Sequence, residues 1–279
     1  MSTAEPAYER STLLTSLIES EGVPYGREDS FKMSRGRLLT ERFLLGVPTE
    51  SIAAARIHRW CDTLGMPQRL QTAFADHLPD ANMVGVGLED GPGGGVYKMY
   101  LEFWDKVRLE VRRTGRSDPM LLHLGFKWPA QNEASQNESS DGRIAHYTCF
   151  PRLSLHDTLA RIEQIYSDAA TRTAQDLAMG IVGRAAAANP TALFLYVETA
   201  EEGSSRRSFD INLYKSELTM GDIEPFSRGL ARHYEISDEQ FEPLLVRVRY
   251  HLLGHLSGGV ARSGDDAATL YYETRSMGS

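Results

Sequence analysis

Residues 95–103 read Gly-Val-Tyr-Lys-Met-Tyr-Leu-Glu-Phe, and their side chains alternate between two kinds. A period of two places one large apolar set on one face: Tyr97, Met99, Leu101 and Phe103. The opposite face carries a cation, a phenol and a carboxylate: Lys98, Tyr100 and Glu102. Alternation of this kind is typical of an antiparallel strand with one face on the core. Taken alone, the stretch predicts a half-buried strand.

The same alternation returns in pairs of segments along the rest of the chain. The predicted pairs are Met83 to Glu89 with residues 96–103, Leu121 to Trp128 with Arg143 to Phe150, Ala192 to Glu198 with Ser208 to Tyr214, and a segment within 252–261 with Ala268 to Glu273. Glycine-rich or polar turns separate the members of each pair, which is the pattern of β-hairpins. Residues 130–142, rich in Asn, Ser, Glu and Gln, are predicted as a mobile loop.

Helical periodicity fills most of the remaining sequence. Helices are predicted over residues 8–21, from 48–51 to 64, over 67–77, from 154 to about 187, over 221–234 and from 237 through 246. Residues 22–48 leave the choice between helix and strand open. Accordingly, we expect residues 1–80 to form a mostly helical N-terminal part that packs on a barrel built by residues 82–275, all within one structural domain.

Composition excludes several classes of protein. The chain has 279 residues, 41% of them hydrophobic, which is enough to bury the core of one large domain or two small ones. A net charge of −8 argues against a general nucleic-acid or anionic-membrane binder. No apolar run approaches the roughly 20 residues of a membrane-spanning helix, and the acidic N-terminus is unlike a signal peptide. Cys61 and Cys149 lack metal-binding spacing, so we expect neither a disulfide framework nor a zinc site, and a cytoplasmic location.

The polar strand faces differ from an ordinary solvated sheet face, which is rich in Thr, Lys, Glu and Arg. Five tyrosines share them: Tyr100, Tyr147, Tyr196, Tyr214 and Tyr271. Other polar residues on the same faces are Glu89, Lys98, Glu102, His123, Lys127, Arg143, Glu198, Asp210 and Asn212. Tyrosine has an apolar body and a polar tip, so five on one face favour a partly enclosed cavity. If the sheet closes, this face lines a barrel that holds an aromatic guest and an anionic group.

Repeated ββ units with outer helices and a tyrosine-lined polar interior resemble the ABBA-type aromatic prenyltransferases. In that family an antiparallel barrel encloses the active site, and Lys-x-Tyr strand motifs bind the prenyl diphosphate. Lys98-Met99-Tyr100 is similar to this motif. Residues 209–214 have the matching strand pattern and tyrosine, but carry Asp210 and Asn212 where a cation is expected.

The segment from Leu253 to Tyr271 is similar to the last hairpin of the family. The family has five hairpins and four are visible here. Either a fifth lies in residues 25–48, or the barrel is smaller or open. The resemblance implies an α+β fold, with an antiparallel β-barrel or strongly curved sheet of repeated hairpins and helices on its outer face.

The resemblance also implies a reaction, the transfer of a prenyl group from an allylic diphosphate to an electron-rich acceptor such as a phenol, an indole or a Tyr/Trp-bearing peptide. Lys98, Lys127 and Arg143 would stabilise the leaving diphosphate. The residues expected to shield the allyl cation are Tyr100, Tyr147, Tyr214 and Tyr271. Glu89 would orient the acceptor or take its proton. The remaining expected substrate-binding residues are His123, Tyr196, Asp210 and Asn212.

No cofactor is expected as a requirement, and Mg²⁺ bound with the diphosphate is compatible with the resemblance. The sequence has no Asp-rich DDxxD motif. His251 and His255 have the spacing of a helical metal pair, but no Glu follows His251 and Gly254 disfavours a helix, so we predict no metal site.

An alternative from another class is a non-catalytic α+β protein that binds a small hydrophobic ligand or assists a biosynthetic partner. This alternative predicts an open sheet whose polar face meets solvent or a partner. A closed barrel in which Lys98, Lys127 and Tyr214 converge would favour the enzyme.

Overall fold

A computed structural model of the chain describes residues 4–91, 94–130, 142–166, 171–204, 207–260 and 264–277. Within these residues, eleven strands form a single antiparallel sheet. The strands are β1 Tyr25–Ser34, β2 Arg37–Leu39, β3 Arg42–Pro48, β4 Met83–Glu89, β5 Val96–Glu102, β6 Met120–Pro129, β7 Arg143–Phe150, β8 Leu195–Glu201, β9 Arg207–Asn212, β10 Leu253–Val260 and β11 Asp266–Met277. The loop predicted over residues 130–142 lies, apart from its two end residues, outside the described part of the chain.

The sheet closes into a barrel. Neighbouring strands follow the order β1-β3-β4-β5-β6-β7-β8-β9-β10-β11, and β11 pairs with β1 from Tyr25↔Met277 to Ser34↔Ala267. Short β2 pairs with the end of β1 beside this ring of ten strands. Closure satisfies the backbone groups that an open sheet would expose at its edges. The predicted fold class, an antiparallel barrel of repeated hairpins, is therefore confirmed.

The fifth hairpin lies in residues 25–48, the segment that the sequence left open between helix and strand, so β1 and β3 of the barrel come from the first 80 residues. Phe31 and Met33 are buried on the outer face, whereas Ser30 and Lys32 face the barrel interior. This alternation was hidden because the preceding Arg-Glu-Asp run is polar on both faces and contains a register shift between Glu28 and Asp29.

The helices surround the barrel. They are α1 Ala4–Glu19, α2 Ala54–Thr63, α3 Gln68–His77, α4 Trp104–Thr114, α5 Leu155–Ile165, α6 Arg172–Ala188, α7 Glu224–His233 and α8 Asp238–Val248. Ser154 caps α5 as predicted, since its hydroxyl accepts the Asp157 backbone N–H at 3.1 Å. The single helix predicted from 154 to 187 is instead two, because α5 ends at Ile165. None of the helices in the described ranges is long and apolar enough to cross a membrane.

Apolar packing lies mainly between the barrel wall and the helices. One cluster packs α1, α2 and α3 against strands around Met99 and Phe126. Another packs the four helices α5, α6, α7 and α8 against strands around Phe209 and Leu256. A third, smaller cluster packs Val107 of α4 against Leu122, Cys149 and Val197. The outward-facing apolar residues of the first two clusters thus stabilise the fold and leave many inward-facing positions free to be polar, whereas Leu122 and Val197 of the third cluster also line the barrel interior.

Candidate active site

The barrel interior contains two adjoining cavities of about 200 and 350 Å³. We call the smaller one the cationic chamber, lined by Lys32, Arg42, Lys98, Lys127 and Arg143. We call the larger one the acidic chamber, lined by Glu28, Glu102, His123, Asp210 and His255. Six residues line both chambers: Arg42, Lys98, Tyr100, Tyr147, Asp210 and Tyr271.

Strand pairing brings the cations of the cationic chamber together. Lys98 and Lys127 are directly opposite each other on β5 and β6. Lys127 Nζ lies 3.3 Å from Glu201 Oε1, and Arg143 Nη1 lies 4.0 Å from Glu201 Oε2. Three of the five lysines of the chain, Lys32, Lys98 and Lys127, line this one chamber. The site is therefore a concentrated positive region inside a protein of negative net charge.

Glu89 is the counter-ion of three of these cations. Its carboxylate lies 2.6 Å from Lys98 Nζ, 3.1 Å from Arg42 Nη2 and 3.5 Å from Lys32 Nζ. Burial opposes ionisation, but Lys98, Arg42 and Lys32 together hold the pKa of Glu89 well below its ordinary value. The position does not support the role expected for Glu89, because a strongly ionised carboxylate saturated with cations is a poor proton acceptor.

The pKa of Lys98 is far from its ordinary value. Burial, with the neighbouring charges of Arg42 and Lys127, lowers the pKa of Lys98 to about 7, and Glu89 opposes this shift. An additional anion in the chamber would favour the protonated form. The lysine is thus placed to gain its full charge when an anionic ligand binds.

A belt of three tyrosines separates the two chambers. Tyr100 and Tyr147 meet edge to face with ring centroids 5.8 Å apart, and Tyr271 lines both cavities beside them. Burial and the other phenols raise the pKa of Tyr100 well above its ordinary value, and burial also raises that of Tyr271. The rings therefore stay neutral and present π faces and hydroxyl groups to the lumen.

Gly125 on β6 makes room for this belt. A Cβ atom at Gly125 would lie 2.9 Å from the Tyr147 ring and 3.0 Å from the Tyr100 ring. Only a residue without a side chain lets both rings lie over the strand in this arrangement.

Glu28 on β1 lies on the other side of the belt. Its Oε1 accepts a hydrogen bond of 2.7 Å from the Tyr214 hydroxyl, which in turn lies 2.5 Å from the hydroxyl of exposed Thr274. Burial raises the pKa of Glu28, whereas His255 and the Tyr214 hydrogen bond oppose that shift. A hydroxyl chain thus connects a buried carboxylate to the protein surface.

His255 links two of the carboxylates of the acidic chamber. Its Nδ1 donates to Asp210 Oδ1 at 2.6 Å, and its Nε2 lies 3.8 Å from Glu28 Oε1. Burial opposes protonation, but Asp210 and Glu28 raise the pKa of His255 to about 9. His255 is therefore an imidazolium at neutral pH.

The structure brings most of the predicted residues together. Those that line the two chambers are Glu89, Lys98, Tyr100, His123, Lys127, Arg143, Tyr147, Asp210, Asn212 and Tyr271. Tyr214 does not converge with Lys98 and Lys127, since it follows β9 at the far end of the barrel and bonds Glu28.

The prediction that Tyr196 faces the lumen is wrong, because the side chains of β8 alternate in the opposite phase. Tyr196 is fully buried on the outer face, stacked at 6.2 Å on Phe209 and bonded to Glu198 at 3.1 Å. Leu195 and Val197 line the acidic chamber instead. Both faces of residues 193–197 are apolar or aromatic, so alternation over them did not show which face points outward.

Sequence reasoning missed five ionisable residues of the site to which it had given no part in binding or catalysis: Glu28, Lys32, Arg42, Glu201 and His255. Three of them lie on β1 and β3, in the segment whose conformation was left open. The signal that could have found them is the alternation of Phe31 and Met33 with Ser30 and Lys32. His251, considered with His255 as a metal pair, is ion-paired with Glu273 outside the lumen-lining set.

Comparisons with known proteins concern the fold. The prenyltransferase PriB in its binary complex with product diphosphate is similar with a TM-score of 0.57 at 14% identity, covering 88% of this chain and 79% of that chain. 5-Dimethylallyltryptophan synthase from Streptomyces coelicolor gives 0.55 at 16% identity, covering 88% and 80%. AnaPT from Neosartorya fischeri gives 0.51 at 12% identity, covering 88% and 77%. No protein-family model matches the sequence, and a search of curated proteins finds no significant match.

Proposed function

We propose that this chain, which has the barrel fold of the ABBA-type aromatic prenyltransferases, transfers a prenyl group from an allylic diphosphate to an electron-rich aromatic acceptor. One observation carries the proposal. The tyrosine belt of Tyr100, Tyr147 and Tyr271 lies between a chamber rich in cations and a larger chamber with carboxylates and apolar walls. An allyl cation formed at that boundary would have its leaving group on one side and its acceptor on the other.

The cationic chamber suits a diphosphate. Five cationic side chains line it against three carboxylates, Glu89, Glu201 and Asp210, and the last of these is paired with His255. Lysine and arginine donate charge-assisted hydrogen bonds to phosphate oxygens. As the allylic C–O bond breaks, its electron pair passes to the diphosphate, and the fixed cations stabilise the charge that develops there.

The tyrosine belt suits the other product of that bond cleavage. Aromatic faces attract cations most strongly where water is excluded. Tyr100, Tyr147 and Tyr271 are neutral, mutually packed and placed beside the cations rather than among exposed residues. The π electrons of the acceptor would then form the new C–C bond with the allyl cation.

We assign removal of the ring proton to Glu28 rather than to Glu89. A base working near neutral pH benefits from a pKa above that of an ordinary carboxyl, and burial shifts Glu28 in that direction. Tyr214 and Thr274 offer the proton a hydrogen-bonded route from Glu28 to solvent. Glu89 keeps Lys98, Arg42 and Lys32 in place for the diphosphate.

Across the described ranges, no group of three or more His, Cys, Asp or Glu side chains could hold a metal ion. The chain's own lysines and arginines therefore meet the charge of the leaving group in this proposal. Magnesium bound with the diphosphate would add to the same stabilisation, so the binding experiment includes it as a separate condition.

Calorimetric titration with dimethylallyl and geranyl thiodiphosphate tests the donor site. We expect micromolar binding to the wild type and at least a tenfold loss, about 1.4 kcal/mol, in Lys98→Ala. Lys106→Ala is the matched control, since Lys106 is exposed on α4 and paired with Asp80. Absence of heat for both analogues, with and without magnesium, would refute the proposal.

Product analysis separates an enzyme from a ligand-binding protein. Mass spectrometry of mixtures containing dimethylallyl diphosphate and a panel of indoles and phenols should reveal a prenylated ring. Thiodiphosphate binding without any such product from the panel would favour the non-catalytic alternative.

A further inference from the structure

Glu102 differs from Glu89, Glu201 and Asp210, each of which has a partner among the lysines or histidines within 3.5 Å. It lies at the end of β5 and lines the acidic chamber, where its side chain is 28% exposed. Among the described residues its ion-pair neighbour is His123, whose Nδ1 lies 3.9 Å from Glu102 Oε2, too far for a hydrogen bond. Its carboxylate oxygens are thus available to a ligand in the chamber.

His123 does not supply Glu102 with a positive charge. It is opposite Glu102 on β6, and burial lowers the pKa of its imidazole, although Glu102 and Asp210 oppose the shift. Its Nδ1 atom is buried and has no hydrogen-bond partner among the described residues. A buried nitrogen without a partner and a carboxylate without a cation therefore face the same cavity, and both are costly unless a ligand satisfies them.

The wall around Glu102 is suited to an aromatic ring. Apolar side chains of this wall are Leu44, Trp104, Leu122, Leu195 and Val197. Trp104 follows Glu102 by two residues and is partly exposed at this end of the barrel. A carboxylate beside an indole is a combination that binds alkylammonium groups, through an ion pair and a cation–π contact.

The remaining charges of the chamber are already engaged. Asp210 and Glu28 share the His255 imidazolium. Arg42 and Lys98 are the fixed cations of the chamber lining, and both are bonded to Glu89 towards the cationic chamber. Among the described residues, no lysine or arginine forms an ion pair with Glu102, and the His255 imidazolium is already bound to Asp210, so a carboxylate carried by the acceptor would lack a free cation beside Glu102.

We propose that the acceptor is an arylalkylamine, whose ammonium group binds Glu102 and Trp104 while its ring lies along the apolar wall towards the tyrosine belt. This inference rests on the proposed function, of which it specifies the acceptor class. The site then favours arylalkylamines over neutral rings of the same size, and it binds aromatic carboxylic acids and aromatic amino acids less tightly than the amines.

Calorimetric titration with two matched series tests the acceptor class. One series is tryptamine, 3-methylindole and indole-3-propionate, and the other is tyramine, 4-methylphenol and 3-(4-hydroxyphenyl)propionate. In at least one series we expect the amine to bind ten times or more tightly than the neutral ring, with the carboxylate weakest. Glu102→Gln should remove this advantage and keep the affinity for the neutral ring.

Asp105→Asn is the matched control, because it removes one carboxylate from the exposed side of the same turn, where Asp105 is 69% exposed. The amine preference should survive in that variant. Equal binding of amine and neutral ring, no binding in either series, or an amine preference that persists in Glu102→Gln would overturn the inference.

The binding of thiodiphosphate keeps the two proposals distinguishable. Intact thiodiphosphate binding in a wild type that shows no amine preference would reject the acceptor class alone. A Glu102-dependent amine preference without any thiodiphosphate binding would reject the prenyl transfer and leave an amine-binding site.

Discussion

Glu28 and Glu89 both face the lumen, yet their surroundings shift the two pKa values in opposite directions. Burial, with a smaller contribution from the neighbouring carboxylate of Asp210, raises the pKa of Glu28, although His255 and the Tyr214 hydroxyl oppose this shift. Glu89 is buried among Lys98, Arg42 and Lys32, so its pKa falls. The same residue type thus becomes a proton acceptor on one strand and a counter-ion on another.

Substitution of these two carboxylates should separate their roles. We expect Glu28→Gln to lower kcat by about 100-fold or more, as loss of a general base does, with the thiodiphosphate Kd unchanged. Glu89→Gln should instead weaken thiodiphosphate binding, because Lys98, Arg42 and Lys32 lose the carboxylate that holds them in place and Lys98 loses the partner that favours its charged form. Steady-state kinetics and calorimetry on both variants measure this. A kcat loss confined to Glu89→Gln would reverse the assignment.

At the scale of strands and helices, the sequence predicted the hairpins whose two faces differ in chemistry. Strands β4, β5 and β7 lie where the alternation placed them, with identical or nearly identical ends. The phase of β8 could not be predicted because Leu195 and Tyr196 suit an apolar outer face equally well. Pairing with β7 decides it, since Tyr196 is opposite Phe150 of the outer cluster.

The candidate site was predictable to the extent that its residues lie on such strands. Lys98, Lys127 and Tyr147 were found from alternation alone. Glu28 and Arg42 were not, because their positions depend on a register shift in β1 and on closure with the last strand. Both are long-range features that a local pattern does not contain.

Gly125→Ala tests whether the tyrosine belt guides the cation. The added methyl group would displace Tyr100 and Tyr147, so we expect water to capture more of the allyl cation and the fraction of prenyl alcohol among the products to rise several-fold. Gly183→Ala on α6 is the control, since its methyl group would meet nothing within 4 Å. Chromatography of both product fractions measures this. An unchanged product ratio with normal Tyr packing would speak against shielding by the belt.

At the scale of the whole molecule, the barrel depends on pairing between the first and last strands. Charges inside it also link distant strands, since His255 on β10 binds Asp210 on β9 and lies near Glu28 on β1. This contact lies on the side of the barrel formed by β9, β10, β11 and β1, and it crosses the β1–β11 junction. The charge of a single imidazole is therefore coupled to the closed state of the barrel.

The stability of the folded protein should fall at alkaline pH, because deprotonation of His255 weakens its contacts with Asp210 and Glu28. The raised pKa of His255 stabilises the folded state fully at a pH below the pKa of an unfolded histidine, about 6.5. This stabilisation is lost as the pH rises through about 9. We expect a loss on the order of 2 kcal/mol between these values, or roughly 5 °C in Tm. Thermal unfolding of the wild type, His255→Gln and the exposed control His156→Gln measures the difference. Parallel curves for the wild type and His255→Gln would contradict the prediction.

The volume of the acidic chamber has one further consequence under the proposed function. Because this chamber of about 350 Å³ adjoins the cationic chamber at the tyrosine belt, the hydrocarbon tail of the donor and the ring of the acceptor would occupy the same space. Each isoprene unit added to the donor leaves less room for the acceptor. The length of the donor chain and the size of the acceptor that fit the cavity are then linked. A substitution that enlarges the cavity would allow a longer donor as well as a larger acceptor.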